Sequence, residues 1–475
     1  MCGIVGIVDA GGVSIQLYYA MYALQHRGQE SAGISTFDGQ TLYKFKGQGL
    51  VADVFSSAVL SDLKGTAGIG HVRYPTTGAN LPENIQPLNF QFKDHSISIA
   101  HNGNLVNTKE LRAGFERAGE IFTTTTDTEV IARILMDEIG RSGSVEDAVN
   151  LCMHKVRGSY SVVMMIDGII YAFRDPQGIK PFCIGKTANG YLVASESVAI
   201  DALDGTFLRD IRPGELIRMD AEGVRCTQIA VATCRAHCIF EYIYFARADS
   251  IIDGKLVYEV RSRIGRKLYE EDPVAADSVS PVPDSGTAYA IGYAHRSAFP
   301  YIETLMKNRY MGRTFIMPSQ QQRERAVRIK LNPIPAHLAG KSVVLIDDSI
   351  VRGTTSRRII ELIREAGAKE VHMRIGSPQI KAPCYLGVDF PTREELIASD
   401  KVEEEVRKCI TATTLHHVSL DALIEAIGCG KDNLCVGCLT GCYPLPIEGE
   451  TGLTPHIDFV AGTYQANLGS FEEKL

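Results

Sequence analysis

The 475-residue sequence reads as two α/β domains, the first a stack of sheets covered by helices, the second built on a parallel sheet. Three observations predict this. From Cys2 to about Cys234, short β-rich runs such as IVGIV, YSVVMMI and GIIYAF alternate with glycine-marked turns and amphipathic stretches such as Thr128 to Ile139. From about Ala236 to Cys442, helix and strand alternate as they do in a parallel sheet. Within that half, SVVLIDDSIVRGTTSRRIIELIREAG (Ser342 to Gly367) is an apolar strand, a turn and an amphipathic helix in direct succession. The expected boundaries are 2–235 and 236–445, followed by a Gly- and Glu-rich tail over 446–475.

Composition narrows the function classes. Hydrophobic residues at 45% and charged residues at 22% are globular values. A formal net charge of −7 without a basic stripe argues against a nucleic-acid binder. No apolar run is long enough to span a bilayer and no signal peptide is recognisable, so a cytoplasmic location is expected. Twelve cysteines in a reducing compartment point to metal binding or catalysis rather than disulfides.

The chain opens MCGIVGI, a start of the kind that loses its initiator methionine. Removal of Met1 leaves Cys2 with an α-amine beside its thiol, and that amine titrates near neutrality, as a base for a thiolate nucleophile must. Four segments follow: QHRGQESAGI (Gln25 to Ile34), GIGHVRYPTTG (Gly68 to Gly78), IAHNGNLVN (Ile99 to Asn107) and TTTTDTEVIA (Thr123 to Ala132). Taken singly, Arg73 reads as a surface arginine, Asn102-Gly103 as a hairpin turn and Asp127 as a helix cap. Together they resemble the glutaminase domain of class II, N-terminal-nucleophile amidotransferases, over roughly the first 230 residues. The resemblance implies an N-terminal-nucleophile hydrolase sandwich and assigns a role to each residue. Cys2 is the nucleophile, and Asn102 with Gly103 forms the oxyanion hole. Arg73 holds the glutamine carboxylate and Asp127 its ammonium. Arg27 matches a structural position near the nucleophile, and His71 and His101 are taken as structural.

In the second half, the turn after LIDD suits a phosphate monoester, since backbone N–H groups around Gly353 and Thr354 precede a helix N-terminus. Asp347 and Asp348 offer hard oxygen ligands to a ribose diol, directly or through Mg²⁺. This segment closely resembles the 5-phosphoribosyl-1-pyrophosphate (PRPP) motif of type I phosphoribosyltransferases. The resemblance implies that Asp347, Asp348, Ser349, Arg352, Gly353, Thr354 and Thr355 bind PRPP. Upstream, VSPVPDSGTAYAIGYA (Val279 to Ala294) is a second strand–turn–helix that the resemblance turns toward pyrophosphate, with Mg²⁺ at Ser285, Asp347 and Asp348. The basic segment Lys307 to Pro333 reads as a flap closing on a polyanion, with Lys307, Arg313 and Lys330 as pyrophosphate contacts.

IFEYIYFARADS (Ile239 to Ser250) completes a resemblance to the amidophosphoribosyltransferases over nearly the full chain, with Ala248 where that family usually has proline. It implies glutamine-dependent conversion of PRPP to 5-phosphoribosylamine, pyrophosphate and glutamate, the first committed step of purine synthesis. It further implies a homo-oligomer, often a tetramer, with purine nucleotides as feedback inhibitors. The run LCVGCLTGC suggests zinc or an iron–sulfur cluster. The resemblance carries a 4Fe–4S ligand role to Cys238, Cys384, Cys435 and Cys438, with Cys442, Cys234 and Cys429 as rivals. Two other functions compete. A PRPP-sensing regulator has no use for the amino-terminal set, and hexosamine or asparagine synthetases lack the DDSIVRGTT turn.

Overall fold

The computed structural model describes residues 1–74, 81–308, 331–390 and 392–459. Its first half stacks two antiparallel sheets. One has seven strands in the order Thr206–Asp210, Cys183–Lys186, Gly190–Ala194, Gly3–Asp9, Ala67–Arg73, Ser31–Phe37 and Leu42–Gln48. The other has six, in the order Gly223–Gln228, Glu215–Asp220, Ile169–Arg174, Gly158–Ile166, His95–Leu105 and Leu88–Phe92.

Strand Gly3–Asp9 shows why the sheets stack. Ile4 and Val8 join the cluster between the sheets, with Ile69, Val163 and Ile170. Val5 and Ile7, on the alternate face, meet Leu17 and Met21 of helix Ser14–Ala23. A strand apolar on both faces must be covered on both faces, which period-two alternation achieves here. Helices Asp127–Ser142 and Val145–Lys155 cover the outer face of the six-stranded sheet through Ile131, Leu135 and Val149. The stacked, helix-covered sheets expected from the sequence are therefore present.

The second half is built on four parallel strands in the order Ser278–Pro281, Ser342–Asp347, Glu370–Ile375 and Thr414–His417. Val344 and Ile346 face helices Val257–Glu271 and Thr287–Ser297, while Val343 and Leu345 face helix Thr354–Glu365 and helix Glu403–Ile410. Helices thus lie on both faces of a buried parallel sheet, and the turns after Pro281 and Asp347 leave from its carboxyl edge. Strand Ile457–Phe459 returns to pair with Ala230–Ala232 of the first half. No helix among the described residues is long and apolar enough to cross a membrane.

Candidate active site

Cys2 lies at the start of the central strand of the seven-stranded sheet, nearly buried. Its backbone N–H donates to Asn102 Oδ1 at 3.1 Å, and its thiol lies 3.8 Å from the Tyr74 carbonyl. Arg27 Nε donates to the Cys2 carbonyl at 3.0 Å. Met1, ahead of it, is buried in the apolar cluster of the second half, its sulfur 2.8 Å from Lys180 Nζ. Burial pulls the Met1 α-amine down to about 4.

Strand His95–Leu105 carries several of the expected site residues in succession. Asn102 is fully buried, and its Nδ2, on the side chain whose Oδ1 accepts the Cys2 N–H, has no hydrogen-bond partner among the described residues. Gly103 follows, where a Cβ would stand 2.0 Å from the Ser159 carbonyl oxygen, so only glycine fits. The pair therefore lies inside a strand, not at a hairpin turn. Leu105 N–H donates to Asp127 Oδ2 at 3.0 Å, and His101 Nδ1 stands 3.6 Å from Asp127 Oδ1. Asp127 is the first residue of its helix, whose cap position is Thr126. Burial raises its carboxyl, but the His101 charge and the hydrogen bonds from His101 and Leu105 outweigh that and hold it below the usual carboxylate range. Arg73 ends strand Ala67–Arg73, which pairs with Gly3–Asp9 in the other sheet; it is 3% exposed, with Nε 3.7 Å from Glu30 Oε2.

Arg27, expected as a structural residue, brings in carboxylates that the motifs did not single out, Glu196 and Glu241, and Glu129 is another, beside Asp127. Arg27 is fully buried, and its guanidinium is forked between Glu196 and Glu241, with Nη1 3.0 Å and Nη2 2.6 Å from the Glu241 carboxylate. Glu241 sits in IFEYIYF, where a lone acid among aromatic residues signals a buried charge partner. Glu129 accepts the N–H groups of Thr123 and Thr124 and so shapes the threonine turn that presents Asp127.

At the second site, Asp347 ends the strand Ser342–Asp347 and Asp348 begins the turn, both nearly buried. Burial and their mutual proximity push Asp347 well up, and burial raises Asp348 despite hydrogen bonds from Ser285 and Ser349. Ser349 Oγ donates to Asp348 Oδ1 at 2.6 Å. Gly353 adopts φ 76° and contacts Ile397, and the helix starts at Thr354, leaving Thr354 and Thr355 exposed. Arg352 is exposed and paired with Glu395 at 2.7 Å. Across the turn a cavity of about 340 Å³ is lined by Arg261, Asp284, Ser285 and Lys307. Lys307 Nζ is 2.5 Å from Asp284 Oδ2. Arg313 and Lys330 lie outside the described residues.

The cysteines converge from three segments. Cys238 and Cys435 stand opposite each other in a short parallel pair. The N–H groups of Lys381 and Ala382 donate to the Cys438 carbonyl, bringing in the segment that leads to Cys384. Burial raises the Cys238 thiol to about 11 and holds Cys435 and Cys438 higher still, with the other thiols of the group adding to the shift. Cys234 lies instead by Gln177, and Cys429 by Lys255 and Asp253. All twelve cysteines are free, and no group of three or more His, Cys, Asp or Glu among the described residues is placed to hold a metal ion.

Comparison with known proteins adds family membership. A glutamine amidotransferase domain profile matches residues 71–202. The amidophosphoribosyltransferase of Methanothermobacter thermautotrophicus is 50% identical over 452 residues, 94% of this chain and 95% of that protein. The Bacillus subtilis amidophosphoribosyltransferase is 45% identical over 466 residues, 96% of each chain. The solved glutamine PRPP amidotransferase of B. subtilis, complexed with ADP and GMP, superposes with a TM-score of 0.88 at 44% identity, covering 95% of this chain and 99% of that one. Two stacked sheets, a parallel-sheet domain and near-complete alignment with such relatives lead to one conclusion: the chain belongs to the amidophosphoribosyltransferase family.

Proposed function

We propose that this chain transfers the amide nitrogen of glutamine to PRPP, yielding 5-phosphoribosylamine, pyrophosphate and glutamate, the first committed step of purine synthesis. One observation carries the reading: an amide-hydrolysing constellation and a phosphoribosyl turn share one chain that aligns end to end with amidophosphoribosyltransferases. The division at 235/236, with a tail from 446, belongs to the same proposal.

Loss of Met1 turns the Cys2 N–H into an amine already bonded to Asn102 Oδ1. That amine takes the thiol proton, and the thiolate attacks the glutamine amide carbon. Charge gathers on the amide oxygen, where Asn102 Nδ2 and the Gly103 N–H receive it; each such donor contributes about 3–4 kcal/mol in other enzymes. Arg73 and Asp127 hold the carboxylate and ammonium of the substrate. The tetrahedral adduct collapses, the amine proton leaves with ammonia, and water hydrolyses the remaining glutamyl thioester to glutamate. Ammonia must stay unprotonated, so it travels inside the protein to C1 of PRPP and displaces pyrophosphate. Met1 fills a space within the second half's apolar cluster, which supports an enclosed route once that residue is gone.

At the second site, Asp347, Asp348 and Ser285 would hold Mg²⁺. Two adjacent buried carboxyls resist joint ionisation on their own; a divalent cation held between them would offset that and would neutralise charge on pyrophosphate. Gly353, Thr354 and Thr355 receive the 5-phosphate, while Ser349 and Arg352 flank it and Lys307 meets pyrophosphate with Arg313 and Lys330. Cys238, Cys384, Cys435 and Cys438 would hold a 4Fe–4S cluster. Four thiols drawn together from distant segments would supply the thiolate set that such a cluster needs. Its role is structural, joining distant segments and making the protein oxygen-sensitive. Feedback by purine nucleotides draws support from the ADP and GMP in the B. subtilis structure. A homotetramer in the cytoplasm completes the reading.

The test is pyrophosphate release by the purified chain with Mg²⁺, PRPP and glutamine. One glutamate per pyrophosphate is expected. No pyrophosphate with either glutamine or ammonium would overturn the reading.

A further inference from the structure

The oxyanion strand does not end its connections within the first half. In the register of the six-stranded sheet, Asn104 lies opposite Ser159, and Gly103 opposite Tyr160. Ser159 is fully buried; its hydroxyl accepts the Asn104 N–H at 3.3 Å and donates to the Leu386 carbonyl at 2.9 Å. The Asn104 side-chain amide donates to the adjacent Tyr385 carbonyl at 2.8 Å. Gly387 follows with φ 96°, and a Cβ there would lie 3.1 Å from both the carbonyl carbon and oxygen of Gly103 and 3.3 Å from Lys180 Cε. The other side of Gly103 is closed by the Ser159 carbonyl. One glycine is thus held between its own sheet and a loop some 280 positions away, as the 281-residue separation of Asn104 and Tyr385 marks.

That loop is itself braced. Tyr443 donates to the Pro383 carbonyl at 2.7 Å, and the Tyr385 hydroxyl donates to Glu450 at 2.8 Å. Backbone groups at 385 and 386 face the first half, and the residue before them is Cys384.

We infer that Asn104 and Ser159 are positioning residues of the amide-hydrolysing site and that the Tyr385–Gly387 loop is the wall that sets the Gly103 peptide. The oxyanion hole is a joint between the two halves of the chain. This rests on the proposed glutamine chemistry and deepens it. An oxyanion donor works only when aimed at the oxygen's position in the transition state, and a shift of about 1 Å costs up to roughly 100-fold in rate. Glutamine already bound by Arg73 and Asp127 would be held as before, so the effect belongs in kcat.

The experiment uses the full-length protein with Ser159→Ala, which removes the hydroxyl bridge, and separately Gly387→Ala, which presses a methyl toward Gly103. Both are expected to lower kcat for glutamine by about 10- to 100-fold, with KM for glutamine and ammonium-driven pyrophosphate release within about twofold of the parent. Ammonium-driven turnover serves as the fold check. Glutamine kcat at the parent level in both variants overturns the inference. So does an equal fall in the glutamine- and ammonium-driven rates, which marks a loop that serves the fold alone. A parent protein inert with both nitrogen sources would instead strike the proposed function itself.

Discussion

Arg27 shows what one side chain does at this site. It is fully buried yet charged, with Glu196 and Glu241 on its guanidinium and the Cys2 carbonyl on its Nε. Charges taken out of water persist only when paired in good geometry, and the fork of a guanidinium supplies it. Arg27→Met leaves two carboxylates buried together. Chemical denaturation should record a loss of about 3–5 kcal/mol, and Arg27→Lys should not restore it, because an ammonium lacks the fork. His71 gives a second residue-scale prediction. Burial first, then Arg73 and His101, lowers its pKa from 6.5 to about 3. The folded state therefore binds its proton less readily than the unfolded state does. Its contribution to stability is complete above about 6.5 and is lost as pH falls toward about 3. Acid unfolding of His71→Gln should be less steep over that window; an identical curve would remove His71 from the account.

At the scale of elements, the phosphoribosyl turn is a local structure. Strand, paired acids, left-handed glycine and helix occupy consecutive positions from Ser342 to Glu365. Gly353→Ala forces a side chain into a positive φ and toward Ile397. KM for PRPP should rise about tenfold or more, while glutamine hydrolysis measured alone stays near the parent rate. This local character explains why the turn, the flanking helices and the parallel strands were legible in the sequence. Hydrophobic periodicity and turn residues encode them within a few positions of each other. The glutaminase residues were legible as motifs, but their geometry was not. Asn102-Gly103 lies in a strand because Ser161 and Tyr160 pair with it from more than fifty positions away. Asp127 lies inside its helix because Glu129 folds the threonine turn back ahead of it. The partners of Arg27 stand 169 and 214 positions along the chain, and the 385–387 loop farther still from Gly103. Periodicity carries no signal for such distant pairs.

At the scale of the whole molecule, the two halves interlock rather than lie side by side. Ala236 and Cys238 donate backbone hydrogen bonds to Gln177 and Ile179, and Gln177 reaches the Pro444 carbonyl. The same contacts tie the segment carrying Cys238 and the segment around Pro444 to the first half. Anaerobic iron and sulfide analysis should give about four of each per chain, falling together in Cys435→Ser; zinc in their place would contradict the cluster. The central claim is that nitrogen is released at Cys2 and consumed at the phosphoribosyl turn. The most direct measurement is pyrophosphate release by Cys2→Ala, with glutamine and with ammonium chloride as alternative nitrogen sources. The account predicts that the glutamine-driven rate disappears and the ammonium-driven rate stays near that of the parent protein. Glutamine-driven release that survives the substitution, or loss of both rates in a folded variant, would contradict it.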